Sequence, residues 1–157
     1  MQIKGRIILN QNIEKGTILI VDDMEEYLLS LKNALGREFN ALTAKSMDEA
    51  KEIINTEVAL LLIDIRLDED EPQNKDGILM LKWCKENYPA KPVVMMSAYH
   101  DFDIAVEALN FGASYFLRKP VNISELKALL KNLIEQSRLS EENIQLKKRL
   151  NEYETKG

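Results

Sequence analysis

The run VALLLID, Val58 to Asp64, is apolar at every position until it meets one carboxylate. A strand with one wet face alternates polar and apolar residues, whereas a strand that is apolar throughout has both faces covered. Two more runs share the pattern. ILIV ends at Asp22 and Asp23, and VVMMS ends at the hydroxyl of Ser97. Strands covered on both faces need a helical layer on each side, which helical crossovers between parallel strands provide.

The intervening segments read as those crossovers. Met24 to Phe39 carries apolar residues at 24, 27, 28, 31 and 35, which is helical spacing. FNALTA follows as a second strand. Ser46 and Glu49 form a capping box that opens a short helix to about Asn55. Asp76 to Tyr88 is a third helix, closed by Pro89, and Asp101 to Phe111 a fourth, with Gly112 as its C-terminal cap. SYFLRKP is a fifth strand stopped by Pro120, and Asn122 with Glu125 caps a last helix. The expected fold is α/β: a doubly wound, five-stranded parallel sheet with an extended C-terminal helix.

Composition narrows the function. A net charge of −5 argues against a nucleic-acid groove in this chain. The acid is concentrated: residues 137–157 hold five Lys/Arg and four Asp/Glu, so the first 136 carry −6. One cysteine, Cys84, rules out an internal disulfide, and one histidine, His100, rules out a His-rich metal site. No apolar run is long enough for a signal peptide or a membrane helix, so a cytoplasmic location is expected.

In open parallel sheets, ligands sit at the carboxyl ends of the strands, near the point where the strand order reverses. Asp22 and Asp23, Asp64, Ser97 and Lys119 all fall at predicted strand ends. Each alone is as well explained by a turn or a cap. Together they describe a pocket of three carboxylates, which repel one another unless a cation joins them. Oxygen-only ligands suit a hard ion such as Mg²⁺, and the lysine and hydroxyl complete a site able to hold a phosphoryl group on a carboxylate.

The segments ILIVDD, LLLID, VVMMSAY and AVEALNFGASYFLRKP, with their spacing, resemble the receiver domain of two-component response regulators over residues 17–136. That resemblance implies a flavodoxin-like fold and a phosphorelay role, with a sensor histidine kinase as partner. It implies Asp64 as phosphoacceptor. Asp23, Asp64 and the backbone carbonyl of Arg66 become Mg²⁺ ligands, with Asp22 acting through water. Lys119 pairs with the phosphoryl oxygens, Ser97 supplies the hydroxyl that moves toward them, and Phe116 takes the aromatic switch position. Residues 1–16 form an N-terminal extension. Arg66 departs from the smaller residues common at its place. A long cation there alters the access of water, and with it the lifetime of a phosphorylated state. Tyr99 lines the same approach.

Gly77 lies thirteen residues after Asp64, an insertion of about five relative to the family, and it contains the acidic run Asp68 to Glu71. That run either attracts cations or discriminates between kinases, or it is a solvated loop. His100 is expected on a surface loop, Trp83 and Met80 in the core, and Cys84 as a small buried hydrophobe.

Past Leu133 the helical pattern continues and its phase changes. With Leu139 at d, Asn143 falls at a, Leu146 at d, Leu150 at a and Tyr153 at d, and Asn at a favours a parallel dimer. Glu142 then faces Lys147 of a second chain, and Arg149 faces Glu154. Residues 137–157 are read as a coiled-coil linker, the alternative being a lone solvated helix. SEENIQLKKRL and SAYHDFDIAVEALNFGASYFLRKP resemble the nitrogen-regulator type, the sigma-54-dependent activators, which control transcription through an ATPase output domain. The expected product is a homodimer formed through the fourth helix, fifth strand, fifth helix and this tail. The sequence is expected to be either part of a longer regulator or a receiver acting alone. An aspartyl phosphatase is disfavoured because DIR lacks a second acid two residues after Asp64. A dinucleotide fold is disfavoured because no Gly-rich loop follows the first strand. A phosphorylation-independent scaffold is disfavoured because no acid or lysine of the set is missing.

Overall fold

A computed structural model describes residues 15–68, 70, 71, 73–98 and 102–155. Expectations for the extension before Lys15, for Tyr99 and His100, for Glu69 of the acidic run and for Asp101 at the start of the fourth helix lie outside the described residues.

Five strands, β1 (Gly16–Val21), β2 (Phe39–Ala44), β3 (Val58–Asp64), β4 (Val93–Ser97) and β5 (Tyr115–Arg118), alternate with α1 (Glu25–Leu35), α2 (Met47–Ile53), α3 (Asp76–Asn87), α4 (Phe102–Asn110) and α5 (Ile123–Thr155). All pairings are parallel, in the order β2-β1-β3-β4-β5. The continuous apolar runs form the central strands. Ile18 and Ile20 of β1, with Leu60 and Leu62 of β3, pack beneath Leu28, Leu31 and Leu35 of α1 and Leu126 and Leu130 of α5. Leu19, Val21, Leu61 and Ile63 face the opposite layer, built from α2, α3 and α4. Period-two side-chain alternation divides each strand between two cores, so neither face is wet. Met80 and Cys84 are fully buried, and Trp83 packs half-buried against that second core, as the sequence suggests.

The first helix ends at Leu35, the last position of its apolar spacing, and FNALTA forms β2 as the sequence suggests: Phe39 pairs with Gly16, and its ring is buried. At α2, Ser46 Oγ accepts from the Glu49 N–H at 3.1 Å as a capping box requires, but the Glu49 carboxylate accepts from Lys45 N rather than from Ser46 N. Asn122 caps α5 through the Glu125 N–H. Gly112 ends α4 with φ of 101°, a left-handed conformation costly for any residue with a Cβ.

The α5 helix is one piece of 33 residues. Its first half is amphipathic and lies on the sheet. Ser137 then donates to the Ala90 carbonyl at 3.1 Å, tying the middle of the helix to the domain. Beyond it Leu139, Ile144, Leu146, Leu150 and Tyr153 are all exposed. Glu142 is held within its own helix by Arg138 at 2.5 Å, and Arg138 also grips Glu135 at 2.6 Å. No helix among the described residues is long and apolar enough to cross a membrane.

Candidate functional site

From β1 the chain crosses to β2 on one side and then returns to β3 on the other. The crevice left by this reversal opens between the carboxyl ends of β1 and β3, where Asp22, Asp23 and Asp64 stand. One oxygen from each lies within 4.8 Å of the other two. Asp22 is wholly buried and Asp64 is 2% exposed, while Asp23 is half-buried.

Each group is fixed by the end of its strand. Asp22 donates its backbone N–H to Ala44 at the end of β2. Its Oδ1 accepts the Met24 N–H at 2.9 Å, turning the chain into α1, and its Oδ2 accepts from Lys119 Nζ at 2.6 Å. Asp64 closes β3, and the next residue, Ile65, donates to the Met96 carbonyl on β4 at 2.9 Å. The start of α3 presses on the same turn. Gly77 donates to the Ile65 carbonyl, and a Cβ at Gly77 would lie 2.0 Å from the Asp64 carbonyl oxygen, so no side chain fits there. Ser97, buried at the end of β4, accepts the Lys119 N–H on its carbonyl at 2.8 Å. Lys119 follows β5 directly, and its Nζ reaches Asp64 Oδ2 at 3.3 Å.

At an effective dielectric of about 20, each pair of carboxylates within 4.8 Å repels by at least about 3 kcal/mol, and there are three such pairs. The two contacts of Lys119, at 2.6 and 3.3 Å, return about 6 and about 5 kcal/mol. Lys119 thus roughly offsets the mutual repulsion of the three acids. An all-oxygen donor set of this kind suits a hard divalent ion. Burial opposes the charge on Lys119, but Asp64 and the hydrogen bond to Asp22 outweigh it and raise the pKa of the ammonium.

The structure brings together Asp22, Asp23, Asp64 and Lys119, and sets Ser97 on the strand between Asp64 and Lys119. Phe116 lies on β5 opposite Met95, half-buried against the α2–α4 core. Arg66 is half-buried just beyond Asp64. Within the insertion, Asn74 Oδ1 accepts from both Leu67 N and Asp76 N at 3.0 Å, and Leu67 is buried in the core, so this loop is tied down at both ends. A groove of about 750 Å³ beside Ala90, Glu141, Ile144 and Leu146 is built on the tail and contains none of these acids.

The sequence reading missed one contact. The ring of Tyr27 stacks under Lys119, with Nζ 4.2 Å from its centroid. Tyr27 had counted only as an apolar position of α1. Asp23 and Met24 precede α1, so no helical spacing to the acids signals this contact.

Residues 18–131 match the response regulator receiver domain, and the chain belongs to that family. The chain is 35% identical over 126 residues to the DNA-binding transcriptional regulator NtrC of Proteus hauseri, a match spanning 78% of this chain and 25% of that protein. Among solved structures it resembles NtrX from Brucella abortus in complex with ADP, with a TM-score of 0.78 and 31% identity, over 88% of this chain and 30% of that one. It also resembles a CheY-like receiver domain protein from Methanospirillum hungatei, with a TM-score of 0.72 and 28% identity over 81% of this chain and 99% of that one. The chain is thus a two-component receiver whose relatives are of the nitrogen-regulator type, and it spans about a quarter of the curated relative's length.

Proposed function

We propose that this chain is a phosphorylation-controlled switch in which Asp64 accepts a phosphoryl group from a sensor histidine kinase. The observation that carries the reading is the buried position of Asp64, with two further carboxylates within 4.8 Å and Lys119 at 3.3 Å. An Asp64 carboxylate oxygen attacks phosphorus in line. The bond from phosphorus to the donor imidazole breaks, and its electron pair returns to the ring nitrogen. Asp22, Asp23, Asp64 and the backbone carbonyl of Arg66 would hold Mg²⁺, which supplies positive charge against the developing phosphoryl oxygens. Lys119 leaves Asp22 to pair with those oxygens, and the Ser97 hydroxyl donates to them. Arg66 and Tyr99 modulate the access of water. The protein is a phosphoacceptor with at most slow self-dephosphorylation, not a turnover enzyme.

The phosphorylated state is passed through Ser97 and Phe116 to the face formed by α4, β5 and α5, where two copies associate. Exposed Val106, Leu109 and Tyr115 on α4 and β5, together with the exposed tail leucines, support an interface there. The similarity to a DNA-binding transcriptional regulator supports transcriptional output through a domain outside this sequence.

Mass spectrometry after incubation with acetyl phosphate and Mg²⁺ tests the assignment. One phosphoryl mass should appear on the natural chain and on Asp68→Asn, and none on Asp64→Asn. Phosphate retained on Asp64→Asn would overturn it.

A further inference from the structure

Tyr27 has no part in the mechanism above, yet it holds the one lysine that mechanism moves. It lies in the first turn of α1, half-buried against the α1–α5 core. Its ring carries the Lys119 ammonium 4.2 Å from the centroid. On the same ring, the hydroxyl reaches Met96 Sδ at 4.0 Å, next to Ser97. Lys119 thus has three partners on three elements: Asp22 after β1, Asp64 at the end of β3, and an aromatic face on α1.

A lysine side chain has four rotatable carbons and little intrinsic preference for one endpoint. Two carboxylates hold it by charge and, at Asp22, by a hydrogen bond that must break before the ammonium can move. A ring face adds direction, because the attraction to its quadrupole exists only above the plane. Unlike the carboxylates, the ring needs no exchange of partners when the ammonium turns from Asp22 toward a phosphoryl group on Asp64. We propose that Tyr27 is a positioning residue for the phosphoryl site: its ring is the platform on which the Lys119 ammonium slides between Asp22 and the phosphorylated Asp64. This rests on the reading of Asp64 as phosphoacceptor. The hydroxyl is dispensable in this role, and the electron density of the ring is not.

The whole chain carries the test, with Tyr27 replaced by Phe, by Leu, and by phenylalanines bearing one, two and three ring fluorines. Fluorination drains the ring face with little change of shape, so a packing role leaves the series flat. Calorimetric titration with beryllofluoride in the presence of Mg²⁺ reads the phosphoryl site. Tyr27→Phe should bind within about twofold of the natural chain, Tyr27→Leu should bind roughly tenfold more weakly, and the fluorinated series should fall in steps between them. A second readout needs neither metal nor mimic. The Lys119 Cε protons should be shifted upfield by the ring current in the natural and Phe chains, and not in Tyr27→Leu. Should Tyr27→Leu fail to fold, the fluorinated series decides alone. Affinity that does not follow fluorination, or Lys119 resonances unchanged in Tyr27→Leu, overturns the proposal while the phosphoacceptor reading stands. A natural chain that takes up no beryllofluoride overturns that reading and the proposal with it.

Discussion

Lys119 lies closer to Asp22, at 2.6 Å, than to Asp64, at 3.3 Å. The other Asp22 oxygen is already engaged by the Met24 N–H. In this state Asp22 therefore has no oxygen free of a donor, and a metal ion drawn to the cluster competes with the lysine for the Oδ2 of Asp22.

Replacing Lys119 with Met should tighten Mg²⁺ binding, by roughly tenfold, because a competing cation leaves the site. The same change leaves buried carboxylates without their partner and should lower stability by about 3 kcal/mol in the absence of Mg²⁺, with recovery as Mg²⁺ is added. Calorimetric titration and thermal melts over a range of Mg²⁺ concentrations measure both. Unchanged or weaker Mg²⁺ binding would show that the lysine does not compete.

The alkaline limb of stability should carry the mark of Lys119. Its pKa is raised above the ordinary 10.5 in the folded state, so the charged form is the one that folding favours. The contribution is then complete below about pH 10.5 and disappears as pH rises through the higher folded value. Urea unfolding of the natural chain and Lys119→Met should differ by a constant amount from pH 8 to about 10 and converge above it. A difference that grows with alkalinity would contradict the direction.

At Gly77 a methyl group is the sharpest probe of the Asp64 turn. A Cβ there would sit 2.0 Å from the Asp64 carbonyl oxygen and 2.7 Å from Ile65 Cα, both backbone atoms that no rotamer change can clear. Gly77→Ala should cost at least about 2 kcal/mol and lower the yield of phosphorylated Asp64. Chemical denaturation, and the mass assay on the folded fraction, would show it. Natural stability in this variant would mean that α3 moves away from the turn at little cost.

Cutting the chain after Gln136 should weaken dimerisation and leave Asp64 able to accept phosphate. Arg138→Ala should do the opposite to the dimer, because it frees Glu142 from its intrahelical contact to meet Lys147 of a second chain. Exposed pairs are weak, so the gain should be about twofold to threefold in the dimerisation constant. Sedimentation of the three chains, with and without beryllofluoride, separates these outcomes. Equal constants for the full and shortened chains would reduce the tail to a spacer.

The sheet was legible because burial on both faces leaves an unbroken apolar signature, and the acids were legible because they end those runs. VALLLID could hardly be anything but a central strand, and Asp64 terminates it as read. Less was visible where one residue type serves two ends. Asp22 fits a turn cap and a cluster ligand equally well, and only its contacts with Met24 N and Lys119 Nζ show it serving both the turn and the cluster. The contact between Tyr27 and Lys119 spans 92 positions and depends on how α1 lies beside the end of β5, which local spacing does not encode. Glu142 had two cationic partners within reach of its register, and an interaction one turn away in the same helix is open to a single chain while one across a dimer is not.

Because α5 contains neither Pro nor Gly, nothing within it acts as a joint. The Ser137 hydroxyl fastened to the Ala90 carbonyl is therefore a fulcrum, and the 18 residues beyond it form an arm roughly 27 Å long. A tilt of about 5° at that fulcrum swings the far end by roughly 2 Å. A shift of the sheet-side half of α5 therefore arrives at the tip as a change in which side chains can meet another helix.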